Sequence, residues 1–178
     1  MYYVYKKEAF MKRRNFLIAS SLVASTSFIE ATDNKFISKF NSVRDIIEAL
    51  SLHFFPPKSS ISSAKDMKIT QFLFETMSHQ SFDKDIKDYV IEGAIDLDKR
   101  TKGKFITMNY KDKERVLREY EKTSFGSSWL SRMLRLMIEG MFCDPIYGSN
   151  VGEGGWKSIN SYGAYPRPKN RYIGIKNV

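Results

Sequence analysis

Nucleophiles, bases and metal ligands are scarce in this chain of 178 residues. It holds two histidines, His53 and His79, and one cysteine, Cys143. A single thiol forms no internal disulfide, no multi-cysteine zinc site and no CxxCH haem attachment. Each histidine falls at a helix end, His53 beside Phe54-Phe55, where packed or capping histidines are common. Cys143 directly follows a helix, and nothing beside it in sequence lowers its pKa, so it reads as a plain buried thiol. Methionines at 133, 137 and 141 have the spacing of a helical core face, which methionine fills well. Asp144, Asn150 and Glu153 lack the D-x-[DN]-x-[DN]-G spacing of a calcium loop. Gly152-x-Gly154-Gly155 matches neither G-x-G-x-x-G nor a phosphate-binding loop. The remaining carboxylates alternate with Lys and Arg along helices, and no nucleophile, base and orienting group can be assembled. No catalytic, cofactor-binding or metal-binding residue is assigned.

The elements that would position any site are helices. Ser42 opens a pattern with Val43, Ile46, Ile47 and Leu50 on one face, which Pro56-Pro57 stops. Lys65–Ser78 carries Ile69, Phe72, Leu73 and Met77 at helical spacing. Asp83 opens a third pattern through Ile86, Tyr89, Val90, Gly93, Ala94 and Leu97, every step three or four residues or less. Asn109-x-x-Asp112 reads as a cap for a helix through Val116, Leu117 and Tyr120. Ser128–Phe142 places Leu130, Met133, Leu134, Met137, Ile138 and Met141 on one broad apolar face. No alternating segment argues for a sheet. The expected fold is all-α: a bundle of about five helices with a long irregular C-terminal segment rich in glycine and aromatics. Residues 1–31 form an N-terminal extension, 32–142 the helical domain, and 143–178 the tail.

The extension carries an address. Lys12-Arg13-Arg14-Asn15-Phe16-Leu17-Ile18 has a basic front and a short, moderately apolar core, the anatomy of a secretory signal. Arg13 and Arg14 followed by Phe16 and Leu17 resemble a bacterial twin-arginine signal. Met11 directly precedes the basic run and is a second candidate start. Cleavage sites near Ala24 or Ala31 are imperfect, so an uncleaved anchor is compatible with the sequence. The whole chain bears a formal net charge of +9. Its signs are interleaved through most of the body, and the pure basic blocks that mark nucleic-acid arms are missing; no nucleic-acid partner is expected.

Residues 142–166, FCDPIYGSNVGEGGWKSINSYGAYP, stand apart. Five glycines and two prolines end the helix, while Trp156, Tyr147, Tyr162 and Tyr165 are too many aromatics for a solvated tail. Such a segment orders by laying its rings on a surface, either its own bundle or a partner that uses Tyr and Trp as anchors.

The string Asp144-Pro145-x-Tyr147-Gly148-x-Asn150, then Gly155-Trp156 and a Tyr162-Gly163 turn, resembles the gluconate 2-dehydrogenase subunit 3 family. The likeness extends over about Ser42 to Pro168. Ser149 departs from it, standing where the family usually has a second glycine, and Asn160-Ser161 replaces a glycine-containing turn. The resemblance implies a non-catalytic small subunit without a cofactor of its own. Its expected partners are a flavoprotein large subunit of the glucose–methanol–choline (GMC) type holding FAD, a multihaem cytochrome c subunit, and the twin-arginine translocase. It implies a periplasmic, membrane-associated complex. The small subunit would bind and stabilise the flavoprotein and supply the export signal, with Asp144, Pro145, Tyr147, Gly148, Asn150, Gly155, Trp156 and Tyr162 at the partner interface. Two other classes stay compatible with the residues: a stand-alone exported helical protein, and a basic module binding nucleic acid or lipid.

Overall fold

The computed structural model describes residues 34–171. Among them are six α-helices and no β-strand. Arg13, Arg14, Phe16 and Leu17 lie outside the described residues, as do the last seven.

Helix α1 spans Asn34–Phe54, starting eight residues before the apolar pattern at Ser42. Phe36 and Phe40 extend the same face upstream at the same spacing, and both are buried. The Phe40 ring centroid lies 5.5 Å from those of Phe36 and Phe74. Pro56-Pro57 ends α1 as expected, because the residue before a proline is pushed out of helical geometry. Helix α2 is shorter than its pattern, Ile69–Ser78. The preceding residues wind separately, with Ser63 accepting from the Asp66 amide at 3.2 Å. Lys68 then adopts a left-handed backbone (φ 56°) that no continuous helix can contain.

Helix α3 spans Lys84–Arg100 and is capped by Asp83, which accepts from the amides of Asp85 and Ile86 at 2.8 and 3.0 Å. Helix α4 spans Tyr110–Glu121, and its Asn109 cap accepts from the Asp112 amide at 3.0 Å while donating to the Asp112 carboxylate at 2.8 Å. Helix α5 spans Ser124–Phe142; Thr123 caps it by accepting from the Gly126 amide, which sets its start four residues before Ser128.

Helix α5 is the centre of the bundle and packs on α2, α3 and α4, while α1 packs on α2 and α3. Two glycines permit the close approaches. A Cβ on Gly93 would lie 2.1 Å from the Trp129 indole, and one on Gly140 would lie 2.7 Å from the Phe72 ring. Trp129, wholly buried, fills the α3–α5 gap and donates to the Val90 carbonyl at 3.2 Å. The buried face of α5 is Gly126, Trp129, Leu130, Met133, Leu136, Met137, Gly140 and Met141. The three methionines are core, but Leu134 and Ile138 are exposed, so the apolar stripe is rotated from the face the spacing suggested.

Candidate functional site

The segment after α5 is ordered by hydrogen bonds to the end of that helix. Asp144 accepts from the Ile146 amide at 3.0 Å and opens a 3-10 turn, Pro145–Tyr147. Gly148 closes it with a φ of 89°, a conformation that favours glycine. Ser149 is buried and donates to the Gly140 carbonyl at 2.8 Å. Its hydroxyl is 3.1 Å from the Cys143 thiol, whose pKa burial pushes upward.

Asn150 is the pivot. It is wholly buried, with a left-handed backbone (φ 50°) that asparagine tolerates better than most residues. Its side-chain amide donates to the Cys143 carbonyl, and its side-chain oxygen accepts from the Gly155 amide, both at 2.8 Å. Gly155 lies so close to α5 that a Cβ would sit 1.9 Å from the Met141 carbonyl oxygen. Gly155 opens the way for a one-turn helix α6, Gly154–Ser158. That turn lays Trp156 on the bundle, where the indole donates to the Phe142 carbonyl at 2.7 Å.

A second layer closes over the indole. The Arg167 guanidinium stands 4.4 Å from the Trp156 ring and pairs with Asp144 at 3.2 Å and Glu153 at 2.9 Å. It also donates to the Tyr162 carbonyl at 3.2 Å, so one arginine ties the start of the segment to its end. Gly163 lies against the indole, where a Cβ would be 2.6 Å from the ring. Asn160 takes a left-handed backbone (φ 55°) at the turn before Gly163. Arg171 bridges Glu75 of α2 at 2.6 Å and the Tyr147 carbonyl at 2.8 Å.

The sequence-predicted interface residues therefore divide. Asp144, Asn150, Gly155 and Trp156 are engaged within the chain, and Tyr147 is half-buried against the core. Pro145 and Gly148 shape the first turn. Tyr162 alone among them projects strongly, 75% exposed. Beside it in sequence, Tyr165 is 70% exposed and Ile159 is 50% exposed. Tyr165 was read from sequence as one of the aromatics that need a surface, but Ile159 was not singled out, nor was Arg167. The arginine's partners lie 14 and 23 residues away in irregular chain, where no periodicity signals a pairing.

A second cluster sits where α1 ends. His53 is buried, its ring stacks on Tyr110 at 4.5 Å, and its Nε2 donates to the Glu114 carboxylate at 2.7 Å. These residues border an open cavity of about 370 Å³ between α4 and α5. The hydrogen bond from His53, and then that from Arg118, holds the Glu114 carboxyl below its ordinary value of 4.5. A carboxyl made more acidic by folding stabilises the fold above its unfolded pKa, and that contribution is lost as pH falls through the native one. Glu114→Gln should therefore melt below the parent near neutral pH, with the gap closing below pH 4.5. Thermal melts of both proteins across that range check it, and parallel curves at all pH values would rule the linkage out. Among the described residues no group of three His, Cys, Asp or Glu side chains is placed to hold a metal ion.

No curated protein and no solved structure matches the chain. The model of the family described as gluconate 2-dehydrogenase subunit 3 matches residues 42–163, about two-thirds of the sequence. The match begins within α1, takes in the rest of the bundle, and ends on the glycine that abuts Trp156. The chain thus belongs to the gluconate 2-dehydrogenase subunit 3 family, the accessory subunits of that kind of complex.

Proposed function

We propose that this chain is the non-catalytic small subunit of a periplasmic, membrane-associated gluconate 2-dehydrogenase-type complex. It docks and stabilises a GMC-type flavoprotein that holds FAD, alongside a multihaem cytochrome c subunit, and carries the flavoprotein through the twin-arginine translocase. The observation that supports docking is the outward display of Tyr162, Tyr165 and Ile159 on a segment whose inward face is fixed by Asn150, Trp156 and Arg167. Interfaces draw their affinity from large aromatics presented on an ordered base, because little entropy is then lost on binding.

The test is a Tyr162→Ala/Tyr165→Ala double variant. Both rings are mostly solvent-exposed. Tyr165 gives up only an exposed stack on Arg167 at 5.2 Å, about 0.5–1 kcal/mol, so the melting temperature should fall by only a few degrees. Co-purification with the flavoprotein should fall at least tenfold, at about 2 kcal/mol per hot-spot ring. Undiminished co-purification would remove the tail from the interface.

Export rests on Arg13 and Arg14. With both replaced by Lys, dehydrogenase activity should move from the periplasmic to the cytoplasmic fraction. Activity retained in the periplasm would refute the targeting role.

A further inference from the structure

We propose that the connector between α3 and α4 is a cationic platform that rests on an anionic lipid surface. Residues 98–115 hold seven Lys and Arg against three Asp and Glu, a net +4. The other 120 described residues hold 16 basic and 14 acidic side chains, a net of only +2. Most of the body's excess charge is thus concentrated in 18 residues.

Three of these cations, Lys102, Lys104 and Lys111, are not used to stabilise the fold. Arg100 pairs with Asp96, and Arg115 with Asp112. Lys99 lies in the field of Asp96, and Lys113 stands 5.7 Å from the Phe105 ring, whereas Lys102, Lys104 and Lys111 form no ion pair among the described residues. Lys99 and Arg100 complement the dipole at the end of α3, but Lys102, Lys104 and Lys111 lie beyond its reach.

The platform is also built rather than loose. The Thr101 hydroxyl donates to the Leu97 carbonyl at 2.9 Å, and the Gly103 amide donates to the Asp98 carbonyl at 3.0 Å. Lys102 and Gly103 both take left-handed backbones, which turns the chain sharply. Phe105, wholly buried, pins the connector to the core, while its neighbour Ile106 is 43% exposed. Lys113 reaches back to donate to the Ile106 carbonyl at 3.1 Å. An exposed aliphatic side chain amid unpaired lysines suits a headgroup layer, where ammonium groups meet phosphates and the apolar group enters below. A protein interface is disfavoured because such surfaces are depleted in lysine. No described helix is long and apolar enough to cross a membrane.

The test is co-sedimentation of the full chain with vesicles of phosphatidylcholine, with and without phosphatidylglycerol, at low and high salt. Binding should require phosphatidylglycerol and weaken with salt. Lys99→Gln/Lys102→Asn/Lys104→Gln should weaken it on the order of a hundredfold, since each lysine near an anionic surface is worth roughly fivefold. Asparagine is chosen at 102 because it tolerates the left-handed backbone. Lys111→Gln, on the first turn of α4 and outside the tight turn, should give about a fivefold loss with the fold untouched. Ile106→Ser should weaken binding without changing its salt dependence. The proposal is overturned if the vesicles are not bound, or if phosphatidylcholine alone binds equally. It is also overturned if binding survives these changes but is lost in Lys12→Gln/Arg13→Gln/Arg14→Gln, which would assign it to the N-terminal segment. Equal, lysine-dependent binding to a single-stranded oligonucleotide at the same salt would make the surface a nucleic-acid site and overturn it as well.

Discussion

Trp156→Ala should destabilise the isolated subunit by about 3–5 kcal/mol, the usual cost of deleting a buried Trp or Phe ring. The indole is 6% exposed, and its removal takes with it the hydrogen bond to the Phe142 carbonyl and the face on which Arg167 stacks. In a body of this size that loss lowers the melting temperature on the order of 10 °C. Trp156→Phe keeps a ring for Arg167 and forfeits the indole N–H, so it should lose only about 1–2 kcal/mol. Loss of flavoprotein binding in the alanine variant would follow from the loosened tail, in contrast to the Tyr162/Tyr165 pair, where binding should fall while stability largely holds. Urea titration of the two Trp156 variants separates the cases; an unchanged midpoint for alanine would mean that the indole does not anchor the segment.

Asn150→Ala should be at least as damaging, by about 3–8 kcal/mol, for a different reason. It leaves the Cys143 carbonyl and the Gly155 amide without their partner, at roughly 1–3 kcal/mol for each buried group. It also places alanine in a left-handed backbone, at roughly 1–2 kcal/mol. Asn150→Gly suffers the first loss without the second. The glycine variant should therefore be the more stable of the two by about 1 kcal/mol. Equal midpoints for Ala and Gly in denaturant would show that the backbone at this position carries no strain.

Local signals were legible in the sequence and long-range ones were not. Asp83 and Asn109 each cap a helix as their spacing indicates, because a cap is decided within three or four residues. The upstream turns of α1 carry no such signal: Lys35, Ser38 and Lys39 dilute the stripe, and only Phe36 and Phe40 packing into the core makes those turns helical. On α5, two overlapping apolar stripes were available. Gly140 decided between them by letting Phe72 approach, which turned Leu134 and Ile138 to solvent. Whether Trp156 faces inward or outward was undecidable from its neighbours. It turns on the Phe142 carbonyl, Gly163 and Arg167, none of which its own position in sequence specifies. The His53–Glu114 hydrogen bond joins residues 61 apart and left no trace in spacing.

The bridge from Arg171 to Glu75 spans 96 residues. The tail leaves the ribosome after α2 and α5, and its contacts with them cannot form before both are in place. An incomplete or misfolded chain therefore cannot show Tyr162 and Tyr165 in their native arrangement. If the flavoprotein reads that surface, it reads at the same moment that its escort has finished folding. On the proposed function, assembly would then carry its own inspection step, written into the order in which the polypeptide is made.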